Sequence, residues 1–95
     1  MHLLNGTDTR MRVLEVHAAF AEGGLTDEEA GNLLGRPDNH ISPVTGRLVK
    51  AGCLDNTAER RMSKYQRPRM VRRVTALGLE VYQRWVERLE LEGED

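Results

Sequence analysis

The sequence predicts a mainly α fold with one small β hairpin (α+β), in the order α-α-α-β-β-α. Three observations predict it. Apolar residues recur at helical spacing in four separate segments. Gly and Pro close those segments where a helix would have to stop. Between the third and fourth segments the helical spacing vanishes, and turn formers, strand-favouring residues and long basic side chains replace it. The 95 residues, 39% hydrophobic and 31% charged, suit one soluble globular domain. The expected layout is a flexible stretch over residues 1–7, a single domain over 8–91 and an acidic tail over 92–95.

The first helix is expected at about 8–22. Its apolar residues fall at 11, 14, 18, 21 and at 13, 16, 20, and Gly23-Gly24 stops it. Thr7 or Thr9 is the expected cap, with Asp8 favourable near the positive end. Thr26-Asp-Glu-Glu29 is a capping box that opens a second helix at about 27–34. Its inner face is Ala30, Leu33 and Leu34; Gly35 ends it and Pro37 prevents continuation. A third helix closes at Gly52. Its start is open between Ser42 and Asn39 or His40 as the cap, with Pro43 fitting a first turn rather than a middle. Its apolar face is Ile41, Val44, Leu48 and Ala51. Asn39, Pro43, Gly46 and Lys50 lie opposite, with Ser42 and Arg47 on the two shoulders.

Two antiparallel strands are expected at about 53–60 and 69–75, joined by a basic loop around Met62–Arg67, so that the hairpin spans about 53–75. The last helix is expected at about 76–91. Leu77, Val81, Trp85 and Leu89 repeat at four, Tyr82 and Val86 lie alongside, and Thr75 is the expected cap.

The formal net charge of −1 conceals a sorting of charge along the chain. Arg60, Arg61, Lys64, Arg67, Arg69, Arg72 and Arg73 fall within fourteen residues and make up half of the 14 Lys and Arg. No acid occurs between Arg60 and Leu79, whereas six acids crowd the segment from Glu80 to Asp95. A basic segment of this density points to a polyanionic partner.

Other function classes fare poorly. No apolar run approaches the ~20 residues of a membrane span. The first residues lack a basic, then apolar, leader pattern, so the expected location is cytoplasmic. Cys53 has no disulfide partner, and one Cys with three scattered His is a poor metal set, so no metal and no cofactor are expected. Gly31-Asn-Leu-Leu-Gly35-Arg lacks the lysine and preceding strand of a phosphate loop. No nucleophile–base arrangement stands out, so no enzyme is expected. His17 reads as a partly buried structural histidine, and Cys53 as a small core residue.

Two helices joined by a tight turn, then an arginine-rich hairpin, resemble a winged helix-turn-helix. Leu48-Val-Lys-Ala-Gly52-Cys-Leu54 looks like the junction between recognition helix and wing in that superfamily. Gly24-Leu-Thr-Asp-Glu-Glu-Ala30 resembles its entry to the second helix, and Thr75-Ala-Leu-Gly78 the opening of the last helix in repressors of the multiple-antibiotic-resistance type. Asn39-His-Ile-Ser-Pro43 with Arg47-Leu48 is similar to small winged-helix proteins of bacteriophages and mobile elements. The resemblance covers roughly residues 10–90. Two features depart from it: Gly46 lies inside the third helix, and the hairpin is longer and more basic than a minimal wing.

The resemblance implies sequence-specific binding of double-stranded DNA by a bacterial or phage-type transcription regulator acting as a homodimer. Asn39, His40, Ser42, Thr45, Arg47 and Lys50 would face the major groove. Arg60, Arg61, Lys64, Tyr65, Arg67 and Arg69 would hold phosphate or the minor groove. Tyr65 either packs under the wing or stacks on a sugar or base. Tyr82, Trp85 and Leu89 are candidate dimer contacts, or else core. A protein-binding module, such as a phage protein covering a host surface, and a replication or recombination accessory are the alternatives, because fold does not decide function.

Overall fold

The computed structural model describes residues 8–93 and gives the order α1 (Thr9–Ala19), α2 (Asp27–Leu34), α3 (Asp38–Lys50), β1 (Leu54–Met62), β2 (Pro68–Val74), α4 (Ala76–Gly93). The flexible segment expected at 1–7, with its candidate cap Thr7, and the tail end at 94–95 lie outside the described residues. No helix among the described residues is long and apolar enough to cross a membrane.

Asp8, not a threonine, caps α1: its carboxylate accepts the Met11 N–H at 3.2 Å, and Thr9 is already helical. The helix stops at Ala19, short of the expected end. Gly24 has φ +72°, and its neighbour Leu25 exchanges both backbone hydrogen bonds with Arg72 of β2, at 3.0 and 2.9 Å. A Cβ on Gly24 would stand 2.7 Å from the Arg72 carbonyl. The chain therefore leaves the helix early to reach the hairpin, and Phe20 ends 48% exposed.

The capping box of α2 forms as expected. The Thr26 hydroxyl accepts the Glu29 N–H at 3.1 Å, and the Glu29 carboxylate accepts the Thr26 N–H at 2.9 Å. Its inner face is Ala30 with Gly31, whereas Leu33 is 50% exposed. Gly31 is required by the tight α2–α3 turn, since a Cβ would lie 2.5 Å from the Arg36 carbonyl.

α3 begins at Asp38 behind Pro37, with no side-chain cap, so Asn39, His40 and Ser42 are all within the helix. The early start seats Ile41, Val44 and Leu48 together in the core; Ala51 falls past the helix end and is exposed. It also leaves Pro43 inside the helix, where its missing N–H deprives the Asn39 carbonyl of a partner. Asn39 and Pro43 are exposed, so that carbonyl lies on the solvent side of the helix.

β1 and β2 pair antiparallel from Leu54↔Val74 to Met62↔Pro68, with a register shift between Asn56 and Arg60. The strands run further towards the tip than expected, leaving a five-residue loop, residues 63–67. Ser63 closes that loop: its hydroxyl accepts the Tyr65 and Arg67 N–H groups at 3.1 and 3.2 Å. Pro68 takes the first position of β2, where a missing donor costs least.

Thr75 caps α4 by accepting the Gly78 N–H at 3.0 Å, and donates to the Gly52 carbonyl at 2.6 Å. Any Cβ on Gly78 would collide with the Cys53 carbonyl. The Thr75-Gly78 motif thus docks α4 onto the start of the wing. α4 runs through Glu92 and Gly93, taking up part of the expected tail. The core gathers Val13, Leu14, Leu25, Ala30, Ile41, Leu48, Cys53, Leu54 and Val71.

Candidate nucleic-acid interface

α3 has an inner face, an exposed crest and two shoulders. Ile41, Val44 and Leu48 face the core. Asn39, Pro43 and Lys50 form an exposed crest, with half-buried Gly46 among them. Among the described residues a Cβ on Gly46 would meet nothing within 4 Å, so no contact with them calls for a glycine there, and the crest is left slim. Arg47 and His40 lie on the shoulder towards the start of α1; Ser42 and Asp38 lie on the shoulder towards the wing.

Thr45 is the correction among the expected helix residues. It is fully buried, because it lies at the edge of the apolar face and its hydroxyl finds the Ser42 carbonyl at 3.1 Å. Ser42 is exposed, but its hydroxyl donates to Asp27 at 2.7 Å. Asn39, His40, Arg47 and Lys50 are exposed.

The hairpin lies beside the N-terminal ends of α2 and α3. Arg72 grips Asp27 at 3.0 and 3.1 Å and donates to Asn56 at 2.6 Å; its ion pair is largely buried. Arg69 pairs with Asp38 at 2.9 Å. Arg61 folds back to Glu29 at 2.6 Å and to the Gly23 carbonyl at 2.8 Å. Arg73 joins Glu59 at 2.9 Å and the Glu22 carbonyl at 3.1 Å. Four of the seven cations of the basic run are therefore occupied with carboxylates of α2, α3 and β1. Burial pushes the Glu29 carboxyl up, but hydrogen bonds from Arg61 and Thr26 outweigh it and hold the carboxyl below its ordinary value. The expected DNA contacts Arg61 and Arg69 are in place as ties between wing and helices.

The tip differs. Lys64 and Arg67 of the loop are exposed and make no ion pair among the described residues, and the same holds for Arg60 on β1. Tyr65 is 67% exposed, with the Lys64 ammonium 5.2 Å from its ring centre, so it does not pack under the wing. The tip backbone is held near α2, where the Lys64 N–H reaches Glu28 at 3.4 Å. Wing tip and crest are thus linked through the N-terminal ends of α2 and α3.

Solved winged-helix transcription regulators share this architecture. A regulator named PcaV from Streptomyces coelicolor, solved with its natural ligand, superposes with a TM-score of 0.73 at 27% identity, covering 93% of this chain and 58% of that one. This chain has the winged helix-turn-helix fold. A PadR-like transcriptional regulator from Bacillus cereus superposes with a TM-score of 0.71 at 15% identity, covering 92% of this chain and 85% of that one. A variant of MepR from Staphylococcus aureus, solved bound to an oligodeoxyribonucleotide, superposes with a TM-score of 0.68 at 15% identity, covering 90% and 59%. The winged helix described here spans about three fifths of the PcaV and MepR chains. No family model and no curated protein matches the sequence.

Within this winged helix, two of the expected dimer residues face their own chain. The Tyr82 hydroxyl donates to Glu15 of α1 at 3.4 Å, and the Arg12 guanidinium lies 5.4 Å from the Trp85 ring centre. Leu89 is half-buried. Leu77, Leu79 and Leu91 are the large apolar residues that α4 exposes, at 47, 43 and 68%. A search for charge runs finds the wing and misses Arg10 and Arg36. Both lie outside the basic run, but the fold brings them beside Arg47.

Proposed function

We propose that this winged helix binds double-stranded DNA sequence-specifically and regulates transcription in the cytoplasm of a bacterial or phage-infected cell, without catalysis. What supports the reading is an exposed α3 crest beside a hairpin that is tied to the N-terminal ends of α2 and α3 and carries unpaired cations at its tip. A helix ~10–12 Å across fits a major groove ~12 Å wide. Asn39 suits adenine, and Arg47 and Lys50 suit guanine. The slim positions Pro43 and Gly46 let the helix backbone approach base edges. His40 and Ser42 flank the contact, while Lys64, Arg67, Arg60 and the Tyr65 ring follow the sugar–phosphate backbone or the minor groove. Residues 8–91 act as one binding domain. The MepR variant solved with an oligodeoxyribonucleotide supports the partner class.

The protein works as a homodimer on paired half-sites. Exposed Leu77 and Leu91, which share one side of α4, with half-buried Trp85 and Leu89, supply the apolar surface for a second copy. Sedimentation at micromolar concentration checks this: a dimer is expected, and a stable monomer rejects the paired-site arrangement. A gel-shift with random-sequence duplex tests the DNA reading. Binding at low salt that weakens steeply as salt rises is expected. No binding at low salt overturns it.

A further inference from the structure

The shoulder of α3 away from the wing forms a basic concavity of about 800 Å³, lined by Arg10, Arg36, Arg47, His40, Asn39 and Asp8 among others. Arg10 comes from the first turn of α1, Arg36 from the α2–α3 turn and Arg47 from α3. All three are exposed, and none makes an ion pair among the described residues. The one carboxylate in the lining, Asp8, caps α1 through one oxygen, so three arginines stand against a single acid there. The opposite shoulder is self-neutralised by Asp27–Arg72 and Asp38–Arg69. Arginines that outnumber the acid beside them three to one, gathered from three elements around a concave surface, suit an extended anion with several charges in a row.

A helix in the major groove has a sugar–phosphate strand along each of its shoulders. The wing tip serves one shoulder only. We propose that Arg10 and Arg36, together with Arg47, clamp the phosphates of the second strand, on the far side of α3 from the wing. The inference rests on the DNA reading above and adds two contacts that the basic run does not contain. Arg47 stands where the clamp meets the crest and serves both base and backbone; Arg10 and Arg36 serve the backbone alone.

The test is a salt titration of binding to a fluorescent random-sequence duplex, read by anisotropy, with wild type, R10Q/R36Q, R10K/R36K and R88Q. Arg88 is an exposed cation of α4 outside the lining of this concavity. The log–log salt slope is expected to become shallower by ~0.9 for each lost phosphate contact in R10Q/R36Q. R10K/R36K should keep the wild-type slope, because a phosphate contact needs charge more than a fixed fork, and R88Q should match wild type. A wild-type slope in R10Q/R36Q overturns the clamp while leaving the DNA reading intact. Failure of the wild type to bind overturns the DNA reading and the clamp together.

Discussion

The base and the tip of the hairpin are built from the same residue type and do opposite things. Along the base, the two paired strands, Arg61, Arg69, Arg72 and Arg73 each close on a carboxylate of the protein itself. At the tip, Lys64 and Arg67 close on none among the described residues, and neither does the exposed Arg60 of β1. The base positions the wing, and the tip is free to meet a polyanion. A basic run counted along the sequence therefore overstates the charge offered to DNA from the wing, and it misses the cations that the fold collects on the other side of α3.

The largest effect should come from breaking the base. The Asp27–Arg72 pair is largely buried, with side chains 12 and 14% exposed, so R72A leaves a carboxylate without its partner. Stability should fall by about 3 kcal/mol in urea unfolding. Equal stability in R72A and wild type would deny the base its structural role.

His17 lies in the field of the same pair. Burial, acting with Arg72 and against Asp27, pushes its pKa down to about 4, and neither ring nitrogen has a hydrogen-bond partner among the described residues. The folded value lies below the unfolded one, so the unfolded chain binds the extra proton. Stability from this group is present above about pH 6.5 and is lost as pH falls towards 4. Between pH 7 and pH 5 the loss should be about 2 kcal/mol. H17L should flatten that part of the profile; an unchanged slope in H17L would place the pH sensitivity elsewhere.

On the crest, R47A and K50A should relax sequence preference by ~1–3 kcal/mol at the bases they contact. Selection from a randomised duplex pool reads this out, and an unchanged preferred site in both would remove α3 from base reading. The smallest effect on the fold belongs to the tip. K64Q/R67Q should change stability by less than ~0.5 kcal/mol. Its salt slope should drop by ~0.9 per lost phosphate contact, alike on every sequence. A K64Q/R67Q variant as destabilised as R72A would erase the distinction between tip and base.

Much of the fold was legible because local rules and tertiary demands agree. Thr26 and Glu29 cap each other as their spacing requires. Gly52 closes the segment after α3 with φ +84°, and Thr75 with Gly78 docks α4. Where a distant contact decides, sequence falls short. The early end of α1 depends on Leu25 pairing with Arg72, 47 positions later. The start of α3 depends on packing Ile41, Val44 and Leu48, which overrides the preference of Pro43 for a first turn. Thr45 sits at the edge of the apolar face, where its methyl group and satisfied hydroxyl both permit burial. At the site, the exposed crest was readable from the helical wheel. The pairing of Arg61 and Arg69 was not, because Glu29 and Asp38 belong to other elements.

The central claim is that α3 and the wing tip present one face to duplex DNA. Amide chemical-shift mapping of the labelled protein during titration with duplex tests it directly. The account predicts that perturbations cluster on residues 39–50 and 63–67, with Arg10 and Arg36, and spare the exposed α4 positions Leu79 and Leu91. Perturbations confined to α4, with α3 and the tip unmoved, would contradict it.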